Sequence, residues 1–203
     1  MSSRKLFCIS GSEARKFLQG LITNDINKLD SGIVYTALLT PQGKYICDFF
    51  LLQQGDDVLL DAPAQDAEAL IKRLSMYRLR ADVHISPSDL MVSTGLTNAP
   101  SGALMDPRHP DMGWRFYDSK DVSEDVDWAA QRVPNCIPEH GIELTPDTFI
   151  LEAGFEVLNG VDFRKGCYVG QEITARMKHK TELRKGFKTV GISELVDIGT
   201  DIV

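Results

Sequence analysis

Apolar positions along this chain keep two rhythms, and each predicts a kind of element. Ala14-Arg15-Lys16-Phe17-Leu18-Gln19 has helical character, with Phe17 and Leu18 turned inward. Ser10-Gly11-Ser12-Glu13 before it reads as a capping box: a serine hydroxyl accepts from a first-turn N–H while the glutamate reaches back. Residues 33–39 and 45–52 are β-branched, aromatic or aliphatic runs on either side of Thr40-Pro41-Gln42-Gly43, which predicts a hairpin. Gly55-Asp56-Asp57 then turns the chain into a third strand at 58–60. Pro63 suits a first helical position, and Ala67, Leu70, Ile71 and Leu74 recur at helical spacing as far as about Leu79. Short strands are predicted at 83–85 and 90–93.

From Thr94 to Asp111 the sequence is rich in Gly, Pro and Asn, with one apolar island at Ala103-Leu104-Met105. A helix is predicted at 126–132, another over 171–178 capped by Gly170, and a strand at 187–192. Strands and helices mix without regular βαβ alternation, so the expected class is α+β.

Composition narrows the field. A chain of 203 residues can bury a core as one large domain or two joined halves. With 43% hydrophobic and 25% charged residues, wholesale disorder is excluded. No run of 18 apolar residues exists, so no membrane span is expected. The first residues, Met1-Ser2-Ser3-Arg4-Lys5-Leu6-Phe7, lack the apolar stretch of a signal peptide and are too few for a transit peptide, which leads to the expectation of a cytoplasmic protein.

The net charge is −7, yet Arg164, Lys165, Arg176, Lys178, Lys180, Arg184, Lys185 and Lys188 crowd one segment that holds only Glu172 and Glu182 as acids. Such a segment is either a solvated helix face or the seat of an anionic partner. Cys8, Cys47, Cys136 and Cys167 lie far apart, as do His84, His109, His140 and His179. No pair has zinc-ligand spacing, so no metal site is expected and the thiols are expected to be reduced.

Among the thiols, Cys167 has the most reactive setting. Arg164 and Lys165 precede it, a helix is predicted to begin just after it, and both features favour thiolate. Gly166 and Gly170 bracket it and allow close backbone approach. Gln171 and Glu172 fall in the helix's first turn, where Glu172 offsets part of the positive field and pairs with Arg176 four residues on. The residues alone leave two readings, a working thiol or a packed cysteine in a tight turn.

The run Lys165-Gly166-Cys167-Tyr168-Val169-Gly170-Gln171-Glu172 resembles the signature of the YgfZ family of folate-binding proteins, which also includes a related mitochondrial iron–sulfur cluster assembly factor. Ala14 to Gly20 with Thr23-Asn24-Asp25, Leu38 to Lys44 with Asp48, Tyr77-Arg78-Leu79-Arg80 and Asp106-Pro107-Arg108 follow in the family's order, so the resemblance covers residues 6–192. It implies the fold of the glycine-cleavage T-protein: a duplicated folate-binding α+β body and a small carboxy-terminal β-barrel. Residues 1–186 would be that body, and 187–203 at most the beginning of the barrel.

The T-protein typically carries two adjacent aspartates after the hairpin turn, where this chain has Cys47-Asp48. Leu151-Glu152-Ala153-Gly154 resembles the segment whose glutamate contacts the pterin, although Ile150 stands where an arginine is usual. The resemblance therefore implies a tetrahydrofolate site using Asp48, Arg108, Glu152, Lys165, Tyr168, Gln171, Glu172 and Arg176, with Cys167 as the working thiol. Asp48 is alternatively an outward strand position, Arg108 a loop pin and Tyr168 a packed aromatic. The leading functional expectation is a folate-dependent helper in iron–sulfur cluster assembly or repair. Its partners would be folate and iron–sulfur client or assembly proteins, with a cluster held at most transiently. The alternatives are a folate-dependent aminomethyl- or methyltransferase, and an RNA-binding module working through 164–188. Tyr168 and Phe187 are too few aromatics for a base-stacking platform, which disfavours the last.

Overall fold

The computed structural model describes residues 3–180, 182, 183, 185–194, 196, 197, 200 and 201. Arg184 of the basic segment, and residues 195, 198, 199, 202 and 203 of the expected barrel start, lie outside the described residues. The described chain is α+β, as expected. Strand β1 (Arg4–Ser10) leads into helix α1 (Ala14–Gln19) and a 3-10 turn at Ile26–Ser31. Next come β2 (Val34–Leu39), β3 (Tyr45–Gln54), β4 (Asp57–Pro63) and helix α2 (Ala67–Arg78). Strands β5 (His84–Pro87), β6 (Met91–Gly95), β7 (Leu104–Met105) and β8 (Trp114–Asp118) precede the helices α3 (Trp128–Arg132) and α4 (Gln171–Lys180).

Five strands form an antiparallel sheet in the order β2-β3-β4-β1-β5, and three form a second sheet, β6-β8-β7. The hairpin read from the sequence is β2–β3, with Val34 opposite Leu51 and Leu38 opposite Cys47. Alternate residues of a strand face opposite sides, so the larger sheet feeds two cores. Val34, Leu38, Cys47, Phe49 and Leu51 join Leu18, Leu70 and Leu74 of the helices on one side. Tyr35, Ala37, Leu39, Tyr45 and Phe50 face Ile150, Phe155 and Tyr168 on the other. Each fully buried leucine or phenylalanine contributes roughly 2 kcal/mol relative to exposure.

The second core is built against chain with little regular structure. There, turns replace ladders: Phe155 N donates to Ile150 O (3.0 Å), and Gly160 N to Phe155 O (2.6 Å). A Cβ at Gly160 would meet the Phe155 ring at 2.6 Å and Tyr35 at 3.1 Å, so only glycine lets these rings close.

Four local expectations are corrected. The capping box does not form, because Ser10 completes β1 and Glu13, at the helix boundary, makes no side-chain cap. The Glu13 carboxylate instead accepts from Asp82 N (2.9 Å), while Ser12 donates its N–H and hydroxyl to Asp82, which ties α1 to the approach to β5. Pro63 ends β4 opposite Arg4 and starts no helix. The stretch 94–111, whose Gly, Pro and Asn predict irregular chain, nevertheless contains a strand at Leu104–Met105, paired with β8. Residues 187–192 form no strand; they lie exposed, and their described hydrogen bonds run from Phe187 N to Glu152 O and from Thr189 Oγ1 to Val133 O, without a ladder partner.

Candidate functional site

The segment carrying Cys167 folds back over the end of α1. Asp162 N donates to Thr23 O (3.1 Å) and Val169 N to Gly20 O (3.3 Å). Lys165 clamps the same place: its ammonium donates to Gln19 O (2.7 Å) and Ile22 O (2.5 Å) and lies 4.8 Å from the Tyr168 ring centroid. Only 7% of Lys165 is exposed. Burial pulls its proton affinity down to about 8, although Asp25 and Asp162 oppose the fall. The sequence counts Lys165 as an electrostatic neighbour of the sulfur, but its charge is spent inward on backbone carbonyls.

With Lys165 and Tyr168 anchored inside, Gly166 and Cys167 are left exposed between them, and the thiol is free. Burial raises the Tyr168 hydroxyl to about 12, so it stays protonated. The turn after it is closed by two glycines. Gly170 has φ +85°, and a Cβ there would meet Thr40 O at 2.6 Å; Gly43, at φ +74°, would meet the Ile173 side chain at 2.8 Å. The tip of the β2–β3 hairpin thus packs backbone to backbone against the start of α4.

Gln171 is half-buried in the first turn of α4, while Glu172 and Arg176 lie on its exposed face with His179 and Lys180, around an open surface hollow of about 620 Å³. Lys178 pairs with Glu156 at 2.5 Å.

Asp48 and Arg108 line a different place. Asp48 is 5% exposed on β3 and accepts from the Tyr45 hydroxyl (2.5 Å), which also meets His140 Nδ1. His140 Nε2 lies 2.5 Å from Asp66 Oδ2. Arg108 forks onto Asp106, Nε to Oδ1 at 2.9 Å and Nη2 to Oδ2 at 2.8 Å, and so pins its own loop. Behind them, Arg115 is fully buried and donates to Asp61 Oδ2 (2.5 Å), which also takes the Tyr117 hydroxyl, while Arg4 holds the other oxygen at 2.6 Å. Burial alone would raise the carboxyl affinities of Asp61 and Asp106, but the guanidiniums overcome it and hold both below the usual range. Arg115, Arg108 and Arg4 stack over Phe50 at 4.0, 4.9 and 5.4 Å. The cleft left among Arg4, Asp48, Phe50, Arg108, Trp128 and His140 holds only about 30 Å³, room for a water or two and not for a pterin.

Glu152 occupies a third position. It is half-buried in an open recess of about 600 Å³ with Thr145, Asp147, Thr148, Lys185 and Phe187. The expected site residues therefore fall into separate groups: the Cys167 turn with α4, the Asp48–Arg108 cleft, and the Glu152 recess. Sequence reading passed over Tyr45, Asp66, His140, Asp61 and Arg115. Asp61, a carboxylate inside the apolar run 58–62, was the one signal available, because a charge there needs a buried partner.

The geometry defines an α+β protein that displays one reduced cysteine on a turn clamped from within. No family model matches the chain. Its homologues are iron–sulfur cluster assembly factors of the IBA57 type, the kind of protein to which the resemblance in its sequence points. The mitochondrial homologue from Neurospora crassa is 31% identical over 91% of this chain and 51% of that protein. The human factor is 30% identical over 91% of this chain and 63% of its own length, and the Mus musculus factor is 30% identical over the same shares. The chain thus spans about half to just under two-thirds of these relatives. All three are named as mitochondrial, which corrects the expectation of a cytoplasmic protein. Among solved structures, the glycine cleavage system aminomethyltransferase T from Bartonella henselae aligns with 44% of this chain and 25% of its own, at 21% identity and a TM-score of 0.41.

Proposed function

We propose that this protein serves iron–sulfur cluster assembly through Cys167, with tetrahydrofolate seated in the Glu152 recess. The observation that carries the reading is the free, exposed Cys167 on a turn fixed by a buried lysine, in a chain whose relatives are cluster assembly factors. A displayed thiol ligates iron as thiolate or exchanges sulfur with a partner. Biological clusters take several thiolates, and no group of three or more His, Cys, Asp or Glu is gathered for a metal among the described residues. Cys167 would therefore supply one ligand, with the others coming from a client or assembly protein.

For folate, the recess has a volume within the usual range for small-molecule sites. The Glu152 carboxylate suits the 2-aminopyrimidine edge, which donates two parallel hydrogen bonds, and the Phe187 ring offers an apolar wall. Bound there, the folate would supply a one-carbon or reducing group. The protein's own part is to orient the pterin through Glu152. We place Asp48 and Arg108 outside this seat, because both side chains are committed to protein partners. For the same reason we do not favour aminomethyl transfer, which would call on an available Asp48. Nor do we favour RNA as ligand, since Tyr168 is buried beneath its turn.

Two measurements test the proposal. Cys167→Ala is expected to abolish rescue of cluster-dependent enzymes in a strain lacking this protein; full rescue by the variant removes the role of the thiol. Glu152→Ala is expected to weaken tetrahydrofolate binding at least tenfold by calorimetry, the loss of a charge-assisted contact. Unchanged affinity takes the pterin out of this recess.

A further inference from the structure

Helix α2 buries Ala67, Leu70 and Leu74 and turns another face to solvent. On that face Met76 is 68% exposed, and Lys72 and Arg73 lie one helical turn before it. Leu79, which caps the helix, is 86% exposed between the exposed Arg78 and Arg80. Residues 71–81 thus hold four cations and no acid, in a chain of net charge −7. The nearest carboxylates in sequence are engaged elsewhere: Glu68 pairs with Lys5 at 3.1 Å, and Asp82 accepts the N–H and hydroxyl of Ser12. Among the described residues no ion pair holds any of the four cations, and Arg78 donates to Val83 O at 3.2 Å.

Leu79 has φ +48°, a left-handed backbone that suits glycine and strains a residue with a Cβ. The turn around it is fixed, by Ala81 N donating to Arg78 O at 2.9 Å and by the bond from Arg78 to Val83. Within the chain this strain gains Leu79 no burial. What it produces is an apolar side chain held out in water among cations.

We propose that this end of α2 docks onto an anionic lipid surface. Leu79 and Met76 enter the apolar layer beneath the headgroups, and Lys72, Arg73, Arg78 and Arg80 meet the lipid phosphates. Three observations favour a bilayer over an acidic protein. The apolar side chains protrude, which suits a soft layer that needs no preformed pocket. Four like charges with no carboxylate among them match a continuous anionic surface, to which each Lys or Arg adds attraction. The cations are held in no fixed pattern of ion pairs, and a diffuse headgroup layer requires none. The attachment is peripheral, because α2 has 12 residues and no described helix is long and apolar enough to cross a membrane. The rest of the chain is net acidic and is repelled by the same surface, so the patch also sets which face approaches.

Cosedimentation with vesicles tests the docking. Vesicles of phosphatidylcholine are compared with vesicles in which one lipid in five is phosphatidylglycerol. The protein is expected to pellet with the anionic vesicles alone, and to be released as salt is raised to about 0.5 M. Lys72→Gln combined with Arg73→Gln should weaken binding at least tenfold, the scale of two charges at an anionic surface. Leu79→Gly is the sharper variant. Glycine relaxes the left-handed turn, so urea unfolding should show stability unchanged or raised, while vesicle affinity falls about tenfold with the loss of the inserted side chain. A leucine kept there only for the fold would give the opposite result, lost stability with binding intact. That result overturns the proposal, as does equal pelleting with both vesicle types or anionic binding that survives all the α2 substitutions. Retention on immobilised polyglutamate without any vesicle binding also overturns it, and would assign the patch to an acidic protein.

Discussion

Replacing Lys165 with methionine isolates the energetics of the Cys167 turn. Methionine fills nearly the same space and removes the charge. The ammonium of Lys165 is held near 8, against an ordinary value of 10.5, mainly because burial penalises the charged form. At about 1.36 kcal/mol per pH unit, that gap makes the charged lysine about 3 kcal/mol less comfortable in the folded protein than in the unfolded chain. Below pH 8 this cost is fully present, because both states hold the proton. Between pH 8 and 10.5 the unfolded chain holds more protons than the folded one, so Lys165's contribution to stability improves as pH rises. The neutral amine keeps two N–H donors, enough for Gln19 O and Ile22 O.

The stability of the native protein minus that of Lys165→Met is therefore expected to grow by about 3 kcal/mol from pH 7.5 to 10.5. Urea unfolding at four or five pH values measures it, and the subtraction cancels groups common to both proteins. A flat difference would show that the ammonium is solvated. A falling one would mean that Asp25 and Asp162 hold the charge more strongly than burial opposes it, and either result refutes the picture of a turn clamped by a desolvated cation.

Arg115→Leu leaves Asp61 with Arg4 and Tyr117 but strips its buried guanidinium, and should cost about 3–5 kcal/mol of unfolding free energy in urea; a loss below 1 kcal/mol would place little of the inter-sheet energy in that pair. Gly170→Ala forces a Cβ onto Thr40 O in a left-handed backbone, so a loss of roughly 2 kcal/mol is expected, together with faster or slower maleimide labelling of Cys167 as the turn shifts. Native-like stability in that variant would contradict the close packing of hairpin and helix.

What could be read in the sequence was what is settled over short distances. The hairpin announced itself because Pro41 and Gly43 punctuate two apolar runs, and α2 because Ala67, Leu70 and Leu74 share a face. Strand β1 opens on the charged Arg4, and β8 carries Arg115 as its second residue. Those charges make sense only beside Asp61, more than fifty positions away from each, and no local rule reports such a partner. The candidate site shows the same divide. Cys167 stood out through its neighbours in the chain, which left open whether its thiol is packed or displayed; the structure leaves it exposed. The direction of Lys165 was not legible, because its partners belong to α1 and the loop after it. Asp48 was legible as a carboxylate near a turn, but its engagement with Tyr45 and, through it, His140 depends on a segment from the far end of the fold. Residues 187–192 have strand-like composition, but among the described residues no neighbouring edge completes a ladder with them, and composition does not report that.

Contact between Gly43 and Gly170 leaves no side chain to act as a spring between the hairpin tip and the first turn of α4. A displacement of either backbone must be passed to the other at once. The presentation of the cysteine is thereby geared to the central sheet, and a substitution at the hairpin tip, remote in sequence, should register in the chemistry of the thiol before it registers anywhere else.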